Sequence, residues 1–149
     1  MANLEFVREF AVPPKEIFVF FVPQRMALWY GAEMNSCLEV QGGASDFAVG
    51  QKVRITGRLG KREVTLTAVI TDYEWECVFE WQFRDAYGVR GKQRWELQQM
   101  GSTTRLTMRD QYEMPGRTGK IVDWLFTRYG VAARDRSGLD RLQRLAERR

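Results

Sequence analysis

Histidine is absent from the 149 residues. Its absence excludes the Ser-His-Asp triad, the Cys-His dyad, His-bearing zinc sites and imidazole acid/base catalysis. Cysteine is almost as scarce. Cys37 and Cys77 lie in separate apolar-rich segments without CxxC spacing, and two thiols cannot close a four-thiolate metal site. They are expected to be small buried thiols in a reducing cytosol. Long apolar runs are missing too. The longest, residues 17–22, stops at Pro23, far short of the roughly 20 residues a spanning helix needs. The opening Met-Ala-Asn-Leu-Glu reaches charge at once, without the basic and then apolar stretch of a leader, so no secretion signal is expected and a cytoplasmic location is.

What remains suits one soluble domain over residues 1–149, because 44% of residues are hydrophobic and 13% aromatic, enough to build a sizeable core. The net charge of +4 is unevenly spread. Residues 116–149 hold nine basic and four acidic side chains, and the rest of the chain is close to neutral. A basic terminal segment can attract an anionic membrane surface or RNA. Here Arg134, Arg136, Arg141, Arg144 and Arg148 alternate with Asp135, Asp140 and Glu147, the usual composition of a solvated helix.

Residues 4–10 alternate apolar and polar as a strand does, with Arg8 breaking the apolar series. In residues 17–22, β-branched and aromatic content points to a strand and the preceding prolines to a helix start, which pattern alone leaves open. Residues 24–30 form a second short amphipathic candidate, with Gly31 as its cap. From Met34 onward the period is two, interrupted by turn residues every eight to twelve positions. The candidate strands are 36–41, 52–58, 64–71, 76–84, 90–99 and 103–112, a run of antiparallel hairpins. After Met114-Pro115-Gly116 the period returns to 3.6, and Ile121, Trp124, Leu125, Ala132, Leu139, Leu142 and Ala146 share one helical stripe. Gly130 and Gly138 are expected places for a bend.

Strand parity collects Val53, Ile55, Val64, Leu66, Ala68, Ile70, Cys77, Phe79, Trp81, Phe83, Trp95, Leu97, Leu106, Met108 and Tyr112 on one face. The opposite face is charged. Three charged residues occupy inward positions: Arg8, Asp110 and, within the helical stripe, Arg128. A buried charge must pair, reach solvent through a cavity, or bind something polar. Arg8 with Asp110, and Arg128 with Asp135, which is also on the helical stripe, are the candidate pairs. Asp110 and Tyr112 share one face and form the best catalytic pair available without histidine.

The order strand, two short helices, six-stranded meander and long C-terminal helix resembles the helix-grip fold of the START-like superfamily. That group includes the polyketide cyclase/dehydrase and lipid-transport family and the birch-pollen-allergen-like proteins. Ala11-Val12-Pro13-Pro14-Lys15-Glu16-Ile17-Phe18 is similar to the family's entry into its first helix, Trp29 to the aromatic closing the second, and Val49-Gly50 to the dipeptide before the third strand. Arg94-Trp95-Glu96-Leu97 and Gly101-Ser102-Thr103-Thr104-Arg105-Leu106-Thr107 resemble the penultimate hairpin, with the usual Gly-Thr spread over Gly-Ser-Thr-Thr. Leu139-Asp140-Arg141-Leu142-Gln143-Arg144-Leu145-Ala146-Glu147 resembles the terminal helix. The resemblance implies an α+β fold, a curved seven-stranded antiparallel sheet wrapped around the C-terminal helix with two short helices after strand 1, and it makes 17–22 helical.

It also implies an apolar cavity between sheet and helix. Trp29, Phe79, Trp81, Trp95, Leu97, Tyr112 and Trp124 would form its walls, and Arg8, Asp110 and Arg128 would orient the polar end of a small hydrophobic ligand such as a lipid, quinone or polyketide-like molecule. Family members also cyclise polyketides in that cavity, which would make Asp110 and Tyr112 the reacting pair. A third possibility is docking on an anionic membrane or RNA through the Arg-rich helix. No metal, redox cofactor or DNA partner is expected, and the oligomeric state is open.

Overall fold

The computed structural model describes residues 2–59, 61–85, 88–113 and 128–148. One antiparallel sheet contains β1 (Ala2–Phe10), β2 (Cys37–Val40), β3 (Lys52–Leu59), β4 (Arg62–Glu74), β5 (Val78–Asp85), β6 (Arg90–Met100) and β7 (Thr103–Glu113). The strand order is β1-β7-β6-β5-β4-β3-β2. Successive strands from β2 to β7 pair as hairpins, and β1 returns to β7 with Ala2 opposite Tyr112 and Phe10 opposite Thr104. The sheet stays open at β1 and β2, so it curves without closing into a barrel.

Both short helices begin on proline: α1 (Pro14–Phe18) and α2 (Pro23–Met26) each follow a residue with extended backbone. Proline's fixed φ suits the first helical position, where its missing N–H removes no intrahelical bond. The ambiguous segment 17–22 is thus helical only to Phe18 and then turns. Ile17, Phe18 and Phe21 are fully buried. The second helix is shorter than residues 24–30, and Gly31 leaves it with φ +63°.

Two strand expectations are corrected. β4 runs on through Asp72, Tyr73 and Glu74, which read as a turn in the sequence, because the register shifts between Ile70 and Asp72. The extra residue, Thr71, inverts the alternation. Ile70 and Tyr73 therefore both face inward, opposite Trp81 and Phe79. The turn falls on residues 75–77 instead, with Glu76 at φ +65°. That placement removes Cys77 from the inward face. Cys77 is exposed, as is Cys37 at the start of edge strand β2, so neither is the buried thiol expected.

Under α1 and α2 the concave face is filled by aromatic rings. Phe18, Phe21, Trp29, Phe47, Tyr73, Phe79, Trp81 and Trp95 interlock at centroid separations between 5.1 and 6.3 Å, mostly edge-on or tilted. On the convex face Arg94 joins Asp72 (3.0 Å), Glu80 (2.8 Å) and Glu96 (2.7 Å). That clamp explains how Glu80 is buried on an outward position.

Helix α3 (Arg128–Ala146) lies across the concave side, burying Ala132, Leu139, Leu142 and Ala146. Ile121, Trp124 and Leu125 of the expected stripe lie outside the described residues. α3 runs as one helix through Gly130 and Gly138, since tertiary burial outweighs the roughly 1 kcal/mol helix cost of each glycine. Its C-terminal half is stitched to β1. Arg8 pairs with Asp140, Gln143 Nε2 donates to Glu9 O at 3.0 Å, and Ala11 N donates to Glu147 Oε1 at 2.8 Å. The expected Arg8–Asp110 pair does not form. Arg8 stands opposite Leu106 and Asp110 opposite Leu4, four residues and roughly 13 Å along the strand.

Gly91 sits opposite Phe83 on β5 and Tyr112 on β7, and a Cβ there would lie 2.2 Å from Gln111 O and 2.8 Å from Phe83 Cζ. Gly91→Ala is expected to lower the unfolding free energy in urea by about 1–3 kcal/mol. Gly130→Ala, whose Cβ meets open space, should raise it by up to about 1 kcal/mol.

Candidate functional site

Beyond the aromatic cluster, the interior is hollow. A cavity of about 350 Å³ lies between the first half of α3, the turn at residues 30–34 and the far ends of β4 to β7. Trp29, Trp95, Leu66, Phe83, Met108 and Leu139 provide apolar wall. Tyr30, Gln93, Asp110, Arg134 and Asp135 gather on the polar side.

Gln93 is the centre of that side. Trp81 Nε1 and Tyr30 Oη both donate to its Oε1, at 2.8 and 2.7 Å. With its oxygen taken by two donors, the amide must present its nitrogen to Asp110, and Nε2 donates to Asp110 Oδ2 at 3.2 Å. The other carboxyl oxygen, Asp110 Oδ1, is buried without a donor among the described residues, as is Asp135 Oδ2. Asp110 is 1% exposed. The two carboxyls come within hydrogen-bonding reach of each other. Two carboxylates cannot donate, so that contact requires a proton on one of them.

Electrostatics raises both. Burial, the charge of Asp110 and the hydrogen bond to it push Asp135 up to about 10, with Glu33 adding to the rise and Arg134 opposing it. Asp110 is also raised by burial, but the hydrogen bonds from Asp135 and Gln93, with Arg134, pull it back. The pair therefore holds one proton near neutrality, shared between the two carboxyls, and titrates as a unit. Tyr30 is raised well above the usual phenol range, first by burial and then by the carboxyl charges, so its hydroxyl stays protonated.

Of the residues singled out from the sequence, Trp29, Trp95, Asp110 and Tyr112 come together on the cavity wall. Phe79 and Trp81 belong to the filled aromatic core and Leu97 is buried beside it. None of the three lines the cavity, although Trp81 supports Gln93 from behind. Arg8 is at the other end of α3, with Asp140. Trp124 and the side chain of Arg128 lie outside the described residues. Asp135 turns toward Asp110, and the expected Arg128–Asp135 pair rests on a side chain outside the described residues. Sequence reasoning missed Gln93, Tyr30 and Arg134 as site residues. Gln93 was findable, since it shares strand parity with Trp95 and Leu97.

The acidic residues that interrupt the basic helix are all turned away from solvent-facing arginines: Asp135 to the cavity, Asp140 to Arg8, Glu147 to Ala11 N and Gln143. Arg141, Arg144 and Arg148 with Leu28 and Leu145 border an open outer groove. Among the described residues no helix is long and apolar enough to cross a membrane.

Because the folded protein keeps on the Asp110–Asp135 pair a proton that the unfolded chain loses near pH 3.8, stability should fall as pH rises from about 4 to about 10. Asp135→Asn supplies Asp110 with a permanent amide donor and removes that linkage. The variant is expected to melt above the wild type at pH 9 and to lose less between pH 6 and pH 9, by differential scanning calorimetry.

Solved structures share this architecture. A protein from Chromobacterium violaceum superposes with a TM-score of 0.76 over 100% of both chains at 14% identity. One from Arthrobacter aurescens gives 0.76 over 99% of this chain and 87% of its own at 16% identity. A protein of the dynemicin biosynthetic locus gives 0.66 at 19% identity, covering 98% of this chain and 47% of its own. No curated protein matches the sequence. A family model described as polyketide cyclase/dehydrase and lipid transport matches residues 1–147, so the chain belongs to the polyketide cyclase/dehydrase and lipid transport family.

Proposed function

We propose that the protein binds a small, largely apolar molecule in the cavity between sheet and α3, with the polar end of that molecule at the Asp110–Asp135 pair. The observation that carries this reading is the hollow itself: a partly open, aromatic-walled space of about 350 Å³, within the range of ligand sites, with Trp95 Nε1 buried on its wall without a partner among the described residues. A core meant only for stability would close such a space, because unfilled volume forfeits packing. Membership of a family that includes lipid transport supports the same reading.

Reaction chemistry is the second reading, favoured by the shared proton. Asp110, as carboxylate, can take a proton from the carbon beside a ketone while Asp135 delivers its own to a departing hydroxyl, which leaves as water. Proton transfer back along the hydrogen bond then restores the pair. Such positioned acid and base groups contribute about 10²–10⁴ in rate. This uses Asp110 as expected from the sequence, with Asp135 in the place of Tyr112.

Nile red should bind stoichiometrically and quench tryptophan emission, since Trp29 and Trp95 border the space. Leu66→Trp, which fills it, should weaken binding by at least about tenfold with melting unchanged. Undiminished binding in the filled variant would remove the cavity from the account. Turnover of a β-hydroxyketone thioester that falls about a hundredfold or more in Asp110→Asn, with Nile red binding retained, would establish the second reading.

A further inference from the structure

The chemical class of the ligand is written in the polar side of the cavity. Among the described residues, the groups facing the Asp110–Asp135 pair are Tyr30 and Glu33 from the turn before β2, Gln93 from β6, Tyr112 from β7 and Arg134 from α3 itself. Gln93 has spent its oxygen on Trp81 and Tyr30. Arg134 Nε donates to Gly130 O at 3.4 Å. Asp85, on the same wall, holds Val89 N at 2.9 Å. Among the described residues, carboxyls thus outnumber cations around the cavity, in a chain whose net charge is +4. Asp110 Oδ1 and Asp135 Oδ2 have, among the described residues, no donor other than the proton the pair shares, and one donor, Trp95 Nε1, is fully buried on the wall without a partner among the described residues.

We propose that the cavity takes an apolar molecule bearing a protonated amine, its ammonium lodged between the Asp110 and Asp135 carboxyls and an oxygen of its body accepting from Trp95. This rests on the cavity being a ligand site. An ammonium group carries three N–H donors and no acceptor, which suits a pair of facing carboxyls better than a hydroxyl with one donor. Trp29, Tyr30 and Trp95 line the same space, and aromatic rings favour a cation over their faces. A free carboxylate or phosphate on the ligand would instead meet like charge. When the ammonium enters, it replaces the proton that the pair holds. That proton leaves to solvent, both carboxyls are ionised in the complex, and charge balances within the site.

The test uses three probes of one skeleton: 2-(4-methoxyphenyl)ethylamine, 2-(4-methoxyphenyl)ethanol and 3-(4-methoxyphenyl)propanoate, titrated calorimetrically at pH 7 in two buffers of different ionisation enthalpy. The amine is expected to bind at least about tenfold tighter than the alcohol, and to release about one proton where the alcohol releases none. Asp135→Asn should abolish the preference and the proton release while retaining the alcohol. Asp140→Asn, at the far end of α3, should keep both. Should the variant fail to fold, proton release by the wild type still decides. Equal binding of amine and alcohol, or preference for the propanoate, would overturn the amine while leaving the cavity a ligand site. If none of the three binds and Nile red is also refused, the cavity reading falls with it.

Discussion

The structure depends on covering the concave face of an open sheet. Seven strands that curve without closing leave a broad apolar surface, and exposing it to water would cost about 25 cal/mol for every Å². α1, α2 and α3 are the cover. Leu139 and Leu142 bury the middle of α3 against the sheet, and its C-terminal half is tied to β1 through Asp140, Gln143 and Glu147. Those polar ties fix where the helix lies, so its N-terminal half is held over the sheet at a set distance.

The two halves of the covered space then differ in what fills them. Beneath α1 and α2, residues such as Phe18, Phe21, Phe79 and Trp81 interlock and leave no room. Toward the other end short or polar residues come between the apolar ones that face inward: Gly91, Gln93 and Asp110 on the sheet, Asp135 and Gly138 on the helix. Polar side chains cannot collapse into a void without losing their hydrogen bonds. They therefore hold the space open, and the same groups that keep it from closing give it chemical character. Stability and site share one cause, since Asp110 and Asp135 are tolerated in the interior only by sharing a proton.

The relay Trp81, Gln93, Asp110, Asp135 links the filled half to the hollow half. Trp81 does not touch the cavity, yet its indole N–H helps decide which way Gln93 faces, and through it where Asp110 is held. A residue expected as a wall acts one layer behind the wall.

Much of this was legible along the chain. Alternation identified the strands, the 3.6 stripe identified α3, and the same parities placed Asp110 and Asp135 inward, because side-chain direction in a strand or helix follows from local geometry alone. What local geometry does not carry is registry between elements. The inserted Thr71 extended β4 and moved Cys77 into an exposed turn. Four residues of strand separate Arg8 from Asp110, and those two charges found partners on α3 that lie in different turns of it. The pairing of two acids, against the expectation that Asp110 would meet Arg8, was decided by how α3 crosses the sheet. Away from the bulge at Thr71, the sequence determined which side chains point inward; only the tertiary structure decided which of them meet, because the distances that govern charge and hydrogen bonding arise between elements far apart in the chain.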